Sequence, residues 1–201
     1  MKVAPELHRL SPTLSLWHAY DSASKTELFS TAFQIDRQTF LVDPISLDQE
    51  FAGELVGAGH EAAGVIVTNE NHHRAAEDFA SRYGVPLFAH REAYAEPKPD
   101  SFAAIHSRPG ELEIIEIAGA VPGEIALFLP ANSGTLIIGD ALINFEPYGF
   151  TFLPPKYCSN HREMRRSLRQ LLDCPAERFC FAHGLPILSK ASDRLKALLD
   201  S

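Results

Sequence analysis

The chain has 201 residues, 45% of them hydrophobic, and its 18 basic and 26 acidic residues give a net charge of −8. This length and composition suit one buried core, so we expect a single domain spanning residues 1–201. The acidic charge and the lack of a basic run argue against a nucleic-acid partner, because phosphate binding needs clustered cations.

No run of about 18 apolar residues is present, so no membrane partner is expected. The start, Met1 to Arg9, lacks the apolar core of a signal peptide. The cysteines at 158, 174 and 180 are odd in number and lack Cys-x-x-Cys spacing, which fits free thiols. These features predict a soluble, cytoplasmic protein.

An antiparallel meander is predicted at the start of the chain. Residues 14–20 alternate like a half-buried strand, and the Ser/Asp-rich residues 21–24 predict a turn. Residues 31–35 and 39–42 then flank a short polar segment and are predicted to form a hairpin. Asp43 follows this hairpin, where a turn residue and a residue that supports a site are both open interpretations.

The pattern then changes to alternating helices and strands. The predicted order is a helix at 47–57, a strand at 64–67, a helix at 75–83 and a strand at 86–89. A proline-containing loop at 96–100 follows, and further strands are predicted at 113–117, 125–129 and 135–138. A second mixed half is therefore expected to begin after residue 100.

The last third predicts two helices around one buried strand. Asn160 and Glu163 have the spacing of a helix N-cap and its acidic partner, and an apolar stripe follows at Met164, Leu168, Leu171 and Leu172. Residues 179–182 predict a short buried strand that leads to His183, and residues 190–199 predict a closing helix.

The most informative segment is residues 68–74, with the sequence Thr-Asn-Glu-Asn-His-His-Arg, directly after the apolar strand 64–67. A strand that ends in polar, ligand-type residues and then enters a helix places chemistry at the edge of a sheet. We therefore expect the functional site here.

This segment resembles the Thr-His-x-His-x-Asp-His signature of the metallo-β-lactamase superfamily. Aligned without gaps, Asn69 and Asn71 stand at the first two histidine positions, His73 at the aspartate and Arg74 at the last histidine. Three later segments resemble other family motifs: residues 117–127 with Ala120 at a ligand histidine position, residues 136–142 with the family aspartate at Asp140, and residues 181–186 with the last ligand histidine at His183.

The resemblance covers nearly the whole chain and implies an α/β fold with αββα layers. In this fold two mixed β-sheets pack face to face, with helices outside. The family chemistry is hydrolysis at one or two metal ions. Of the seven family ligand positions, however, only those at Asp140 and His183 carry the expected residue. Amide oxygens are poor zinc ligands, and the permanent charge of Arg74 repels a cation, so a two-metal site is expected to be lost.

One interpretation is a metal-dependent hydrolase of an ester, thioester or amide. One divalent ion, zinc, manganese or iron, would be held by His73, Asp140 and His183, with His73 as ligand or proton shuttle. The alternative for His72 and His73 is a pair of surface histidines at a helix start.

The other interpretation is a non-catalytic, metal-free protein. Its pocket would bind a small anionic ligand through Asn69, Asn71 and Arg74, or would bind a protein partner. Arg74 would then replace the metal by an ion pair with Asp140, since a buried carboxylate needs a positive partner; a solvated Arg74 is the alternative. The aromatic residues 145–152 are a candidate contact for a homodimer.

Overall fold

The computed structural model describes residues 3–57, 59–105 and 112–201. A first, mixed sheet has seven strands in chain order: β1 (His8–Ser11), β2 (Leu14–Asp21), β3 (Thr26–Ile35), β4 (Gln38–Val42), β5 (Glu61–Val67), β6 (Leu87–Ala89) and β7 (Phe102–Ala104). Neighbouring strands from β1 to β4 are antiparallel, and those from β4 to β7 are parallel.

The remaining strands form a second sheet and a ribbon: β8 (Glu113–Glu116), β9 (Ile125–Leu129), β10 (Thr135–Ile138), β11 (Leu142–Phe145), β12 (Gly149–Phe152) and β13 (Arg178–Phe181). The second sheet has the order β13-β10-β9-β8, with β13 parallel to β10 and the other pairs antiparallel. The antiparallel ribbon consists of β11 and β12.

The described residues form four α-helices: α1 (Gln49–Leu55), α2 (Ala76–Tyr83), α3 (His161–Ser167) and α4 (Ala191–Leu199). Short 3-10 turns occupy Arg91–Ala93, Pro155–Tyr157 and Leu168–Asp173. The predicted cap of α3 is confirmed, because the Asn160 side chain accepts a hydrogen bond from the Glu163 backbone N–H. None of the helices in the described ranges is long and apolar enough to cross a membrane.

Three buried apolar clusters establish the order of the layers. Leu55 and Phe79 belong to a cluster that packs α1 and α2 against the first sheet. Phe33 and Ile137 belong to a second cluster, which lies between the two sheets. Met164 belongs to a third, which packs α3 and α4 against the second sheet. The order helix, sheet, sheet, helix confirms the predicted αββα fold.

Four strands are absent from the sequence-based prediction, namely β1, β7, β11 and β12. The three-residue strand β7 pairs with β6 and belongs to the first sheet, so the second half begins at β8, which lies after residue 100 as expected. Strands of three or four residues carry so little alternation that the sequence pattern detects some of them and misses others. The aromatic segment forms the ribbon, where Tyr148 is 63% exposed, and its role in a homodimer stays a prediction.

The fold brings four loops to one edge of the sandwich. They follow the parallel pair β4 and β5 in the first sheet and the parallel pair β10 and β13 in the second. Backbone hydrogen bonds join the two sheets there, from Phe29 to Ala182 and from Ile125 to Thr68, both 2.9 Å. The loops that carry the predicted site residues therefore meet at the junction of the two sheets.

A matched pair of glycines tests the packing of the loop between β8 and β9. A Cβ on Gly123 would meet the Ala93 backbone nitrogen at 2.5 Å, whereas a Cβ on Gly84 would meet nothing within 4 Å. Both residues have positive φ, at +74° and +63°, so alanine strains both backbones by about 1–2 kcal/mol. We expect Gly123→Ala to cost about 2 kcal/mol more than Gly84→Ala in urea unfolding; equal losses would contradict this packing.

Candidate functional site

Asp43, directly after β4, organises the loops that meet at this edge. It is buried, and its backbone is in the left-handed region at φ +47°. Its carboxylate accepts hydrogen bonds from the Thr68 N–H at 2.8 Å, the Thr68 hydroxyl at 2.6 Å and His72 Nδ1 at 2.9 Å. An ionised carboxylate only accepts, so Nδ1 of His72 carries a hydrogen and Nε2 faces away from Asp43.

Three side-chain atoms form an almost equilateral triangle at the centre of the site. His72 Nε2 and His183 Nε2 each lie 3.3 Å from Asp140 Oδ1, and the two nitrogens are 3.4 Å apart. These separations are longer than the about 2.7–2.9 Å of a charge-assisted hydrogen bond. Ligand atoms about 2.0–2.1 Å from a tetrahedral ion lie about 3.3–3.4 Å from one another. The triangle therefore matches three corners of a tetrahedral metal site, and within the described ranges only these residues form such a group.

The second oxygen of Asp140 is held by two side-chain amides. Asn69 Nδ2 donates to Oδ2 at 3.3 Å and Asn71 Nδ2 donates to it at 3.2 Å. The amide oxygen of Asn69 accepts the backbone N–H of Asn71 at 2.9 Å. Both asparagines thus present N–H groups to Asp140, which orients Oδ1 towards the two histidines.

His73 lies outside this group, so its predicted place as metal ligand or proton shuttle does not agree with the structure. Its Nε2 contacts the backbone oxygen of Ala93, and its ring stacks on Tyr94 with 3.8 Å between ring centroids. His72 occupies the predicted place instead. The reason is local: the loop turns back after Asn69, with a hydrogen bond from His72 N to Asn69 O at 3.1 Å.

Arg74 is half-buried, but the predicted ion pair with Asp140 is not among the contacts of the described residues. Its Nη1 donates to the backbone oxygens of Phe29 at 2.6 Å and Asp43 at 3.0 Å, and its Nη2 donates to that of Ala182 at 3.3 Å. Phe29 lies in β3 and Ala182 follows β13, so the guanidinium joins the two sheets. A fully solvated Arg74, the alternative, does not agree with these three hydrogen bonds.

Glu124 is a site residue that the sequence-based prediction missed. It is buried, and its carboxyl accepts hydrogen bonds from the Ala141 N–H at 3.0 Å and Asn69 Nδ2 at 2.6 Å. Burial and the nearby Asp140 carboxylate raise the pKa of Glu124 to about 8, so it is protonated at neutral pH. The available signal was an acidic residue immediately before the apolar strand β9.

The charges of the site balance one another when no ion is bound. Burial alone would lower the pKa of His72, but the Asp140 and Asp43 carboxylates outweigh it and raise the pKa to about 9. Against the opposing effect of burial, His72 and His183 hold the pKa of Asp140 well below its ordinary value. Burial lowers the pKa of His183. An ion at the triangle must therefore displace the proton on His72 Nε2.

A cavity of about 590 Å³ opens onto the triangle. Asn71, His72, Asp140 and His183 all line it. Its apolar lining includes Leu28, Val121, Ile143, Phe145 and Leu153, and its exposed lining includes Lys25, Tyr148, Lys156 and Tyr157. The size suits a small organic molecule.

The chain belongs to the metallo-beta-lactamase superfamily, whose sequence model matches residues 5–201. Similar solved structures include the metallo-beta-lactamase DIM-1, at 15% identity with a TM-score of 0.77, covering 97% of this chain and 96% of that one. A metallo-beta-lactamase from Erythrobacter litoralis shares 14% identity over 96% and 95% of the two chains, with a TM-score of 0.74.

A metallo-beta-lactamase from Pontibacter korlensis shares 12% identity over 98% of this chain and 99% of that chain, with a TM-score of 0.73. Identities this low show the shared fold alone. None of the curated proteins matches the chain.

The charge of His72 predicts how the stability of chelator-treated protein depends on pH. The pKa of His72 rises from 6.5 to about 9 on folding, so its stabilising contribution is complete below pH 6.5 and is lost as the pH rises through 9. We expect His72 to contribute a fall on the order of 3 kcal/mol in the free energy of unfolding over this range. Urea titrations at several pH values measure it.

His72→Gln should remove most of this pH dependence, and His73→Gln should keep it. Some decrease below pH 8 remains in both variants, because Glu124 also has a raised pKa. If the free energy of unfolding of His72→Gln depends on pH as in wild type, the assignment of the charge to His72 is contradicted.

Proposed function

We propose that this protein is a metal-dependent hydrolase that uses one divalent ion, held by His72, Asp140 and His183. The observation that carries the proposal is the triangle of ligand atoms with sides of 3.3, 3.3 and 3.4 Å. Divalent metals are typical of the superfamily to which the chain belongs.

The chemistry of the donors fits such an ion. Two imidazoles and one carboxylate suit zinc, iron(II) or manganese. Asp43 binds the far nitrogen of His72, and the two asparagines bind the far oxygen of Asp140. Support of this kind fixes the tautomer and orientation of metal ligands. Three protein ligands leave a coordination position open, which is typical of a catalytic rather than a structural site.

The surroundings favour one ion rather than two. Asn69 and Asn71 direct their N–H groups at Asp140, and Ala120 has no donor atom. The guanidinium of Arg74 lines the same cavity and repels a second cation. This arrangement supports the expectation that the two-metal site is lost while one ion can be held by a different set of residues.

A bound ion would act as a Lewis acid and would bring the pKa of a water molecule near neutrality. Asp43 keeps His72 in the tautomer that a metal ligand needs, with the hydrogen on Nδ1. Glu124 does not line the cavity; it binds the Asn69 amide that also donates to Asp140. The apolar wall limits the water that reaches the triangle and orients the apolar part of a substrate.

Metal-free binding of an anion is the second candidate, favoured by the charge balance around His72. With His72 protonated, the site carries no uncompensated carboxylate. In this case Arg74 and Asn71 are the predicted contacts that line the cavity, whereas Asn69 is fully buried behind it. The occupancy of the triangle by an ion decides between the two candidates.

The adjacent histidines provide a matched test. Protein without a His-tag is dialysed against zinc, manganese or iron(II) and then against metal-free buffer, and its metal content is measured by elemental analysis. We expect about one ion per chain in wild type and His73→Ala. His72→Ala removes a ligand, which should weaken binding more than the about 10–100-fold effect of a supporting residue.

The same samples are screened for hydrolysis of ester, thioester and amide substrates. Wild type and His73→Ala should be active, chelator should abolish the activity, and the added metal should restore it. Equal metal content in both variants would contradict the proposed ligand set. If the ion binds stably but no substrate is hydrolysed, the metal site would be supported and the proposed hydrolase activity would be contradicted.

A further inference from the structure

We infer that the substrate carries an anionic group, a carboxylate or a phosphate, recognised by Lys25 and Lys156 at the exposed side of the cavity. This inference deepens the proposed function and rests on it for the site of reaction. Its basis is the distribution of charge around the cavity that contains the triangle.

The two lysines line this cavity from different loops. Lys25 lies in the turn between β2 and β3, and Lys156 lies in the 3-10 turn after β12. Both are exposed, and neither has a carboxylate within 4 Å among the described residues. By contrast, Lys98 and Lys196 form ion pairs with carboxylates elsewhere in the chain.

The acidic residue that lines this part of the cavity together with Lys25, Asp21, is already bound. The Asp21 carboxylate accepts hydrogen bonds from the Ser24 N–H at 2.9 Å and from the Ser24 hydroxyl at 2.8 Å. These bonds lower the pKa of Asp21. The Asp21 carboxylate is thus directed at Ser24, and the ammonium group of Lys25 is left for a ligand.

Lys156 is held by an aromatic ring instead of an acid. Its Nζ lies 4.5 Å from the ring centroid of Tyr157, within the range of a cation–π contact. This contact orients the ammonium group without neutralising it. Tyr157 and Tyr148 also line the cavity, at 57% and 63% exposure, and can pack against an apolar or aromatic part of a substrate.

The resulting charge pattern is unusual for this protein. The whole chain has a net charge of −8, but its cavity is lined by Lys25, Lys156 and Arg74 against the carboxylates of Asp21 and Asp140. A bound divalent ion would make the cavity still more positive. Since the walls are apolar, the complementary substrate is an ester, thioester or amide with an apolar body and an anionic group.

The test uses three acetyl esters of similar shape on the metal-loaded protein: 4-acetoxybenzoate, 4-acetoxyphenyl phosphate and the neutral 4-acetoxybenzamide. We expect at least one charged ester to have a kcat/KM about tenfold above the neutral ester at low salt, mainly through a lower KM. Each exposed charge pair can contribute up to about fivefold. The charged ester with the higher kcat/KM identifies which anionic group the cavity prefers.

Substitutions distinguish the effect of these two lysines from the effect of the overall charge of the protein. Lys25→Gln combined with Lys156→Gln should bring the ratio of charged to neutral kcat/KM close to 1. Lys190→Gln is the control, because Lys190 has the same left-handed backbone as Lys25, with φ of 54° and 56°, but does not line the cavity. This control should keep the ratio of wild type.

If none of the three esters is hydrolysed, binding decides the inference separately from the proposed function, which the wider ester, thioester and amide screen decides. Calorimetric titration with 4-hydroxybenzoate, 4-hydroxyphenyl phosphate and 4-hydroxybenzamide should then show anion-selective binding that the double variant loses and Lys190→Gln keeps. Equal kcat/KM values for charged and neutral esters, or equal affinities for charged and neutral ligands, would overturn the inference. A preference for the anion that survives in the double variant would also overturn it.

Discussion

The hydrogen bond between Asp43 and Nδ1 of His72 is the interaction on which the site depends. The carboxylate of Asp43 also binds the backbone and hydroxyl of Thr68, so it fixes the start of the loop that contains His72. With Nδ1 committed to Asp43, Nε2 can face only Asp140 and His183. The left-handed backbone of Asp43 and of Arg74, at φ +47° and +42°, fits strain held in place by the surrounding structure.

The same hydrogen bond supports two states of the site. A proton on Nε2 places an imidazolium between the carboxylates of Asp43 and Asp140, and a metal ion in its place would be held by His72, Asp140 and His183. Proton and metal compete for one nitrogen, so metal affinity should rise with pH towards about 9, the pKa of His72 without metal. The superfamily fold is retained, while the ligand set differs from the one that the family motif would supply.

The sequence was sufficient for the fold and for the edge at which the candidate site residues meet. Apolar runs and turn residues predicted most elements, and Asp140 and His183 were correctly placed at the edge where the sheets meet. The choice between His72 and His73 depended on how the loop turns after Asn69, and a gapless alignment carries no information on that turn. The contacts of Arg74 were equally hidden, because its partners are backbone oxygens distant in sequence. Glu124 was detectable as an acid before a buried strand.

Diffraction can show whether His72, rather than His73, completes a one-metal site. Crystals of tag-free protein soaked in zinc would be measured on both sides of the zinc absorption edge. The proposed ligand set predicts one anomalous peak per chain, about 2.0–2.1 Å from His72 Nε2, Asp140 Oδ1 and His183 Nε2. A peak bound by His73, a pair of peaks, or a triangle without zinc at saturating concentration and pH 8 to 9 would contradict it.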